Sequence, residues 1–226
     1  MTLAAHKDGR PAHHLAERDL PRKTMRVLGI DPAAAGPTGY GVVETDGRNC
    51  WMLRFGALPA LAKNRRDDFP ARLRQIHGLV ARLIDEFSPD SVALESVFTA
   101  LNMKTALKLA EVRGVVLLAA AQSNIPVYSY SPRAVKLLVA GYGHAGKQQM
   151  QLMVRARLGM SETPGPADAA DALAVALCHI QTAQSQARFA AAGATPAGLP
   201  QAGRAQTHPG ISAARNRPAA GRILTR

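Results

Sequence analysis

The apolar positions of the chain first follow the pattern of short strands. Three runs, RVLGI, TGYGVVE and CWMLRFGAL, come one after another from residue 26, separated only by short turns rich in glycine or polar residues. Connections this short join antiparallel strands. The first part of the chain therefore predicts a three-stranded antiparallel meander.

The pattern then alternates between helices and strands. Residues 69–87 place Leu73, Ile76, Val80 and Leu83 on one helical stripe, and the spacing assigns Arg72 to the polar side. The further predicted elements are a strand SVALES, a helix over about 102–122, a strand PVYSY, and helices near 147–158 and 168–183. Together they predict an α/β fold with a five-stranded mixed sheet, three antiparallel strands and then two parallel, flanked by helices on both faces.

One face of the predicted helix over 102–122 carries small residues at its centre, in the order Leu107, Ala110, Gly114, Leu117 and Ala121. Small side chains let a second backbone approach closely. Two interpretations remain open: packing in the core of the same chain, or an interface between two copies of it.

The two ends of the chain differ from the middle in composition. Residues 1–24 and 184–226 lack the apolar periodicity of a folded segment, and we predict disordered extensions on both sides of a domain over residues 25–183. The last 46 residues contain six arginines and no acid, which is half of the net charge of +12. Such a basic tail is typical of a contact to phosphates, although it can also be a solvated extension without a partner.

Cysteine content and hydropathy restrict the cellular setting. The chain has two cysteines, which do not form a disulfide framework or a C-x-x-C metal pair. No apolar run approaches the length of a membrane span, and the first residues lack the apolar stretch of a secretory signal. We therefore expect a cytoplasmic protein without a membrane partner.

Four acidic residues stand where a buried element ends or begins. Asp31 ends the first predicted strand and Glu95 ends the fourth, while Asp168 and Asp171 share one face of an otherwise apolar helix in PADAADALAVAL. An acid in a first helical turn is commonly a cap, and a strand-end Glu is commonly exposed. If strands one and four are parallel neighbours, however, both strand-end carboxylates emerge at the same edge of the sheet.

Carboxylates gathered in apolar surroundings repel one another. At about 4 Å and an effective dielectric constant near 20, each like-charged pair costs on the order of 4 kcal/mol. Hard divalent cations remove this cost, and oxygen ligands without Cys or His favour Mg²⁺ or Mn²⁺ over Zn²⁺. Two such ions about 4 Å apart can cleave a phosphodiester, one activating water and the other stabilising the leaving oxygen.

The joint set of motifs resembles a known family. GIDP…TGYGVV, ALESVF, ALKLAEVRGVV, SPRAVKLLVAGYGHAGKQQMQLMV and PADAADALAVALCH are similar, in order and spacing, to the RuvC crossover junction endodeoxyribonucleases over about residues 25–180. The resemblance implies a ribonuclease-H-like fold, a homodimer, and cleavage of four-way Holliday junctions by symmetric nicks in two strands of like polarity. It further implies two Mg²⁺ ions per active site, with Mn²⁺ as a substitute, and partnership with the RuvA–RuvB branch-migration complex.

Site residues follow from the same resemblance. Asp31, Glu95, Asp168 and Asp171 match the metal-binding catalytic acids. Lys147, in GHAGKQQ, matches a catalytic lysine.

Three positions match residues that contact the DNA. Lys147 and Lys136, in PRAVK, match lysines near the active site that touch the DNA backbone; each could otherwise be a solvated helix-end lysine. Phe98 matches an aromatic residue that stacks on a base at the junction centre, and it could equally anchor a loop.

The chain also departs from the family pattern. Ala33 replaces a glycine, the stretch AAAGP makes the turn after Asp31 about one residue longer, and Leu101 replaces a basic residue. Two other functions remain open: a basic DNA-binding protein without catalytic activity, and a nuclease of the same fold with another nucleic-acid substrate. A nucleotide-binding domain of the actin and sugar-kinase kind is disfavoured, because it would need a duplicated domain and a second phosphate loop.

Overall fold

The computed structural model describes residues 24–60, 68–96, 102–193 and 203–204. The strands are β1 (Met25–Asp31), β2 (Thr38–Thr45), β3 (Cys50–Leu58), β4 (Ser91–Glu95), β5 (Val127–Tyr130) and β6 (Gly203–Arg204). The helices are α1 (Phe69–Phe87), α2 (Met103–Gln122), α3 (Pro132–Ala140), α4 (Lys147–Arg157) and α5 (Ala167–Ala191).

The strands form one sheet in the order β3-β2-β1-β4-β5-β6. β1 pairs antiparallel with β2 and parallel with β4, and β5 continues the parallel pairing beyond β4. The predicted mixed sheet of five strands is therefore confirmed. The two residues of β6 add a short antiparallel strand beside β5, which the sequence pattern did not indicate.

Helices cover both faces of the sheet. Alternation along β1 sends Leu28 and Ile30 toward α1 and α2, whereas Val27 faces the layer of α3, α4 and α5. Each face thus has its own apolar core. None of the helices in the described part of the chain is long and apolar enough to cross a membrane.

Helix α1 begins and ends where the sequence predicts, with the Asp68 side chain accepting a hydrogen bond from the Ala71 amide. The prediction that Arg72 lies on its polar side is wrong. Arg72 is only 1% exposed, because it precedes Ile76 by one turn and shares the core-facing stripe. Its guanidinium instead binds backbone oxygens at the end of the sheet.

The face of α2 that packs in the core is not the face with small residues at its centre. Its buried residues are Val112, Val116, Ala119 and Ala120. Leu107, on the face with small residues at its centre, is 57% exposed. Core packing is therefore wrong for most of that face, and its use as an interface between two copies remains a prediction.

Two helices differ from the predicted pattern. The sequence pattern missed α3, which Ser131 caps by accepting a hydrogen bond from the Ala134 amide and which has Pro132 in its first turn. α5 continues to Ala191 and not to about Ala183, so the first residues of the predicted tail are helical. The remaining residues of the predicted extensions lie outside the described part of the chain, apart from Thr24, β6 and residues 192–193.

The backbone of α5 lies directly on β1 and β2 because glycines face it. A Cβ built on Gly29 would lie 2.1 Å from the carbonyl oxygen of Ala172, and one on Gly39 would lie 1.9 Å from that of Asp168. No L side chain fits at either distance without moving the helix. These glycines therefore set the distance between α5 and the sheet.

We expect Gly29→Ala to lower the free energy of unfolding by about 1–3 kcal/mol or more, because the new methyl group overlaps the α5 backbone. Gly78→Ala is the matched control, since a Cβ there meets only the Arg82 side chain at 3.6 Å. It should stabilise α1 by about 0.5–1 kcal/mol, the helix-propensity difference between Gly and Ala. Urea unfolding measures both changes; equal stabilities for the two variants would contradict the packing argument.

Candidate active site

The carboxylates of Asp31 and Glu95 lie side by side at one edge of the sheet. Each is the last residue of its strand, and in the parallel β1–β4 pair the preceding residues, Ile30 and Leu94, are register partners. The two-residue period of a strand turns both acids toward the α5 layer, the side that Val27 and Ala93 also face. The predicted meeting of the strand-end acids is thus present.

Helix α5 brings the other two acids to the same edge. Asp168 is in its first turn and Asp171 follows one turn later. Gly39 is the register partner of Asp31 in β2, and it is also the glycine that touches the backbone of Asp168. The close approach of α5 at Gly39 therefore places its N-terminal turn beside the end of β1.

The acids at this edge alter one another's ionisation. Burial is the main cause that raises the pKa of Asp31 to about 8, and the charges of Glu95, Asp171 and Asp168 raise it further. A hydrogen bond between Asp31 and Glu95 favours the protonated form of Asp31 and the ionised form of Glu95. All four acids are consequently close enough to interact.

The pKa values of Glu95 and Asp171 are also raised, in both cases mainly by burial. The positive charges of two lysines oppose the rise. Lys136 lowers the pKa of both carboxyls, and Lys147 lowers that of Asp171. Without bound cations, the surroundings at this edge of the sheet therefore do not fully stabilise the ionised forms of these acids.

Both predicted lysines lie at this edge. Lys147 is the first residue of α4, and its Nζ atom is 3.7 Å from Oδ2 of Asp171. Lys136 is on α3, close enough for its charge to act on Glu95 and Asp171. Phe98, the third predicted DNA contact, lies outside the described residues.

The donor atoms suit a hard cation, but they do not form a closed cage. Within residues 24–60, 68–96 and 102–193, no three His, Cys, Asp or Glu side chains are grouped so that they could hold a metal ion as they stand. All four acids supply carboxylate oxygens, the ligands that Mg²⁺ prefers. The cluster fits a divalent cation whose binding draws the carboxylates together and offsets their repulsion.

The sequence reasoning missed two arginines behind the acids. Arg113 of α2 donates hydrogen bonds to the backbone oxygen of Glu95 and to Oγ of Ser129. Arg72 of α1 donates to the backbone oxygen of Gly36 and to Oγ1 of Thr38. The helical phase of Arg72 with Ile76 was a usable signal. For Arg113, the sequence contains no comparable signal, because its partners lie on strands β4 and β5 and become known only from the structure.

The turn after Asp31 accommodates Ala33 without strain. None of residues 32–37 has a positive φ, so the turn needs no glycine conformation at position 33. Oγ1 of Thr38 closes the turn by binding the amide of Ala33 at 3.3 Å and its carbonyl oxygen at 3.4 Å. The longer turn thus leaves Asp31 at the end of its strand.

Comparison with known proteins connects this site to one family. The family model described as crossover junction endodeoxyribonuclease RuvC matches residues 27–179. A relative of that description from Chloroflexus aggregans is 49% identical over 165 residues, covering 73% of this chain and 98% of its own length. Another from Syntrophomonas wolfei is 43% identical over 174 residues, covering 77% and 98%.

Solved structures agree with the sequence relatives. Thermus thermophilus RuvC in complex with a Holliday junction substrate is similar with a TM-score of 0.64 and 36% identity, over 71% of this chain and 96% of that one. A yeast mitochondrial Holliday junction resolvase has a TM-score of 0.53 at 15% identity, over 73% and 81% of the two chains, which supports the fold alone. The match of sequence and fold shows that this chain belongs to the RuvC family of crossover junction endodeoxyribonucleases.

Proposed function

We propose that this chain is a structure-selective endonuclease that resolves Holliday junctions in DNA recombination and repair, by paired symmetric nicks in strands of like polarity. Family membership supports the reaction class. The observation that carries the proposal is the convergence of Asp31, Glu95, Asp168 and Asp171 at one sheet edge, with Lys147 beside them. A basic DNA-binding protein without catalytic activity would have no need to bury acids where they repel one another.

The reaction needs groups that bind a phosphodiester and stabilise the negative charge that develops on it in the transition state. The four acids would hold two Mg²⁺ ions, which when bound supply an activated water and stabilise the leaving oxygen. Lys147 and Lys136 border the acids and place positive charge where the scissile phosphate would lie. A lysine in that position stabilises the additional charge of the transition state.

Paired nicks require two acidic clusters, and each chain has one at the described sheet edge. We therefore infer a homodimer, whose two-fold axis matches the symmetry of a four-way junction. The small-residue face of α2 supports an interface, because Leu107 and Leu118 are more than half exposed there and Met103 is 74% exposed. The family resemblance supports two further expectations, docking to the RuvA–RuvB branch-migration complex and a cytoplasmic location.

A nicking assay separates this function from its alternatives. We expect Mg²⁺-dependent, paired cleavage of a synthetic four-way junction and much slower cleavage of linear duplex of the same sequence. Equal cleavage of duplex or of an RNA–DNA hybrid would favour another nuclease substrate. Junction binding without cleavage in Mg²⁺ or Mn²⁺ would favour the non-catalytic alternative.

Asp168→Asn should abolish nicking while leaving junction binding nearly unchanged, because it removes a metal-binding charge and alters no DNA contact. We expect a loss of on the order of 10²–10³-fold or more, comparable with the loss of other groups that stabilise transition-state charge. Asp85→Asn, an equivalent change at an exposed position of α1, is the control and should cut normally. Lost binding with retained cutting would refute the metal assignment.

Asp31→Asn should stabilise the metal-free protein at alkaline pH. The pKa of Asp31 is about 8 in the folded state and 3.8 for the ordinary residue, so the folded protein retains a proton that the unfolded chain releases. The wild-type protein therefore loses stability as pH rises from about 4 to about 8. In EDTA near pH 8.5 the variant should be more stable by at least about 1 kcal/mol, given about 1.4 kcal/mol per pKa unit.

Thermal unfolding in EDTA at several pH values measures this difference, which should shrink toward about pH 4. Added Mg²⁺ should stabilise the wild-type protein most at alkaline pH and the variant much less. A stability difference that grows as pH falls would contradict the assigned cause of the shift.

Deletion of residues 194–226 should weaken junction binding, because this segment contains five arginines and no acid. The log–log dependence of affinity on salt should become shallower by up to about 0.9 for each phosphate that the shortened protein no longer neutralises. Deletion of residues 1–23, with a net charge of only +2, is the control and should change the slope less. An unchanged slope after the first deletion would show that the tail does not contact DNA.

A further inference from the structure

Two arginines from the α1 and α2 layer reach the same end of the sheet as the acids, from the opposite face. Arg113 reaches the end of β4, where it binds the backbone oxygen of Glu95, and Arg72 reaches the turn after β1, where it binds that of Gly36. The acids face α5, on the other side of the sheet. The arginines are therefore placed behind the acids and outside the space that the substrate would occupy.

Arg113 joins the ends of two neighbouring parallel strands. One terminal nitrogen of its guanidinium donates to the carbonyl oxygen of Glu95, the last residue of β4. The other donates to Oγ of Ser129 in β5 at 3.0 Å. Because a guanidinium is planar and rigid, two such bonds fix both distance and angle between the strand ends. Lysine carries the same charge but has no planar group with two donor nitrogens in fixed positions.

Further hydrogen bonds hold the same strand end. The amide of Ser96 donates to the carbonyl oxygen of Tyr130 at 2.8 Å, and its Oγ donates to the same oxygen at 3.1 Å. β4 is thereby tied to β5 immediately after Glu95. The backbone that carries this carboxylate is fixed on both sides before any cation binds.

Arg72 has the corresponding position behind Asp31. Its guanidinium donates to the carbonyl oxygen of Gly36 and to Oγ1 of Thr38, each at 2.8 Å, and to the carbonyl oxygen of Pro59 at 2.7 Å. Oγ1 of Thr38 in turn binds the amide of Ala33, two residues after Asp31. Arg72 therefore joins α1 to the turn that follows Asp31 and to the end of β3.

We propose that Arg113 and Arg72 are positioning residues for the reaction. Arg113 holds the backbone of Glu95, and Arg72 holds the turn that follows Asp31, both from the face of the sheet opposite the acids. This inference rests on the proposed function of the acids. The four carboxylates do not form a closed cage in the described residues, so their geometry depends on how firmly each backbone is held. In this role neither arginine would contact the substrate or a cation, because the partners of both are protein oxygens.

The physical reason is the tolerance of a two-ion site. A displacement of about 1 Å in a positioning group can cost on the order of 10²-fold in rate. Groups that orient metal ligands commonly cost about 10–100-fold in metal affinity or activity when they are replaced. If an arginine had only a structural role, its replacement would lower thermal stability but would leave the cation affinity and turnover of the folded protein unchanged.

The experiment compares Arg113→Lys and Arg72→Lys with Arg54→Gln. The lysines retain the charge but lack the rigid planar group with two terminal donor nitrogens, whereas the control removes an arginine whose ion pair with Glu86 is exposed. Mn²⁺ dissociation constants, measured by the electron paramagnetic resonance of free Mn²⁺ well below the melting temperature of each variant, are read beside junction Kd and single-turnover nicking rate. We expect Mn²⁺ binding weakened about 10-fold or more and nicking slowed about 10–100-fold, with junction Kd within about twofold.

A second, milder pair guards against unfolding of the lysine variants. Thr38→Val preserves the shape and removes one of the three acceptors for Arg72, while Thr38→Ser retains the hydroxyl group. The Val variant should weaken Mn²⁺ binding and slow nicking, and the Ser variant should restore both.

The outcomes separate this inference from the proposed function. If the wild-type protein nicks junctions and the variants have unchanged Mn²⁺ affinity and nicking rate, the positioning role alone is overturned. Wild-type protein that binds Mn²⁺ but cuts no junction would overturn the proposed function, and the Mn²⁺ constants of the variants would still decide the inference. Wild-type protein that neither binds Mn²⁺ nor cuts would overturn both.

Discussion

The contact between the backbone of α5 and the glycines of β1 and β2 determines where the acids of this protein meet. With no Cβ at Gly29 or Gly39, α5 lies closer to the sheet than any side chain would allow. The helix therefore begins beside the end of β1, and its first two turns bring Asp168 and Asp171 to Asp31. If a side chain separated α5 from the sheet, the helix itself could still form, but Asp168 and Asp171 would lie farther from Asp31.

That proximity is unfavourable for the protein on its own. Burial and mutual repulsion raise the pKa of Asp31 to about 8 and shift those of Glu95 and Asp171 in the same direction, and Lys136 and Lys147 offset only part of the cost. The free energy stored in this cluster favours binding of divalent cations and of a phosphate between cations and lysines. In the proposed nuclease, stability is thus exchanged for affinity at the reacting centre.

The two layers that cover the sheet divide the tasks of the proposed site. The α5 layer supplies two of the acids and, through α3 and α4, the lysines at the open side of the sheet edge. The opposite layer supplies Arg113, which binds the backbone of Glu95 at the end of β4, and Arg72, which binds the turn after Asp31. The sheet is the rigid element between them, since its parallel register fixes Asp31 beside Glu95.

In the described part of the chain, the sequence by itself determined five of the six strands, four of the five helices, the mixed sheet and the identity of the candidate acids. Period, strand-end acids and ordered motifs can all be read directly from the sequence. It could not identify the hydrogen-bond partners of Arg72 and Arg113, which lie on distant segments, nor the short helix α3, whose nine residues gave too few turns for a clear period. The continuation of α5 to Ala191 was also hidden, since its last turns bury little. The tertiary structure alone decided how closely α5 approaches the sheet and how strongly the acids interact, because both depend on contacts between segments that are distant in the sequence.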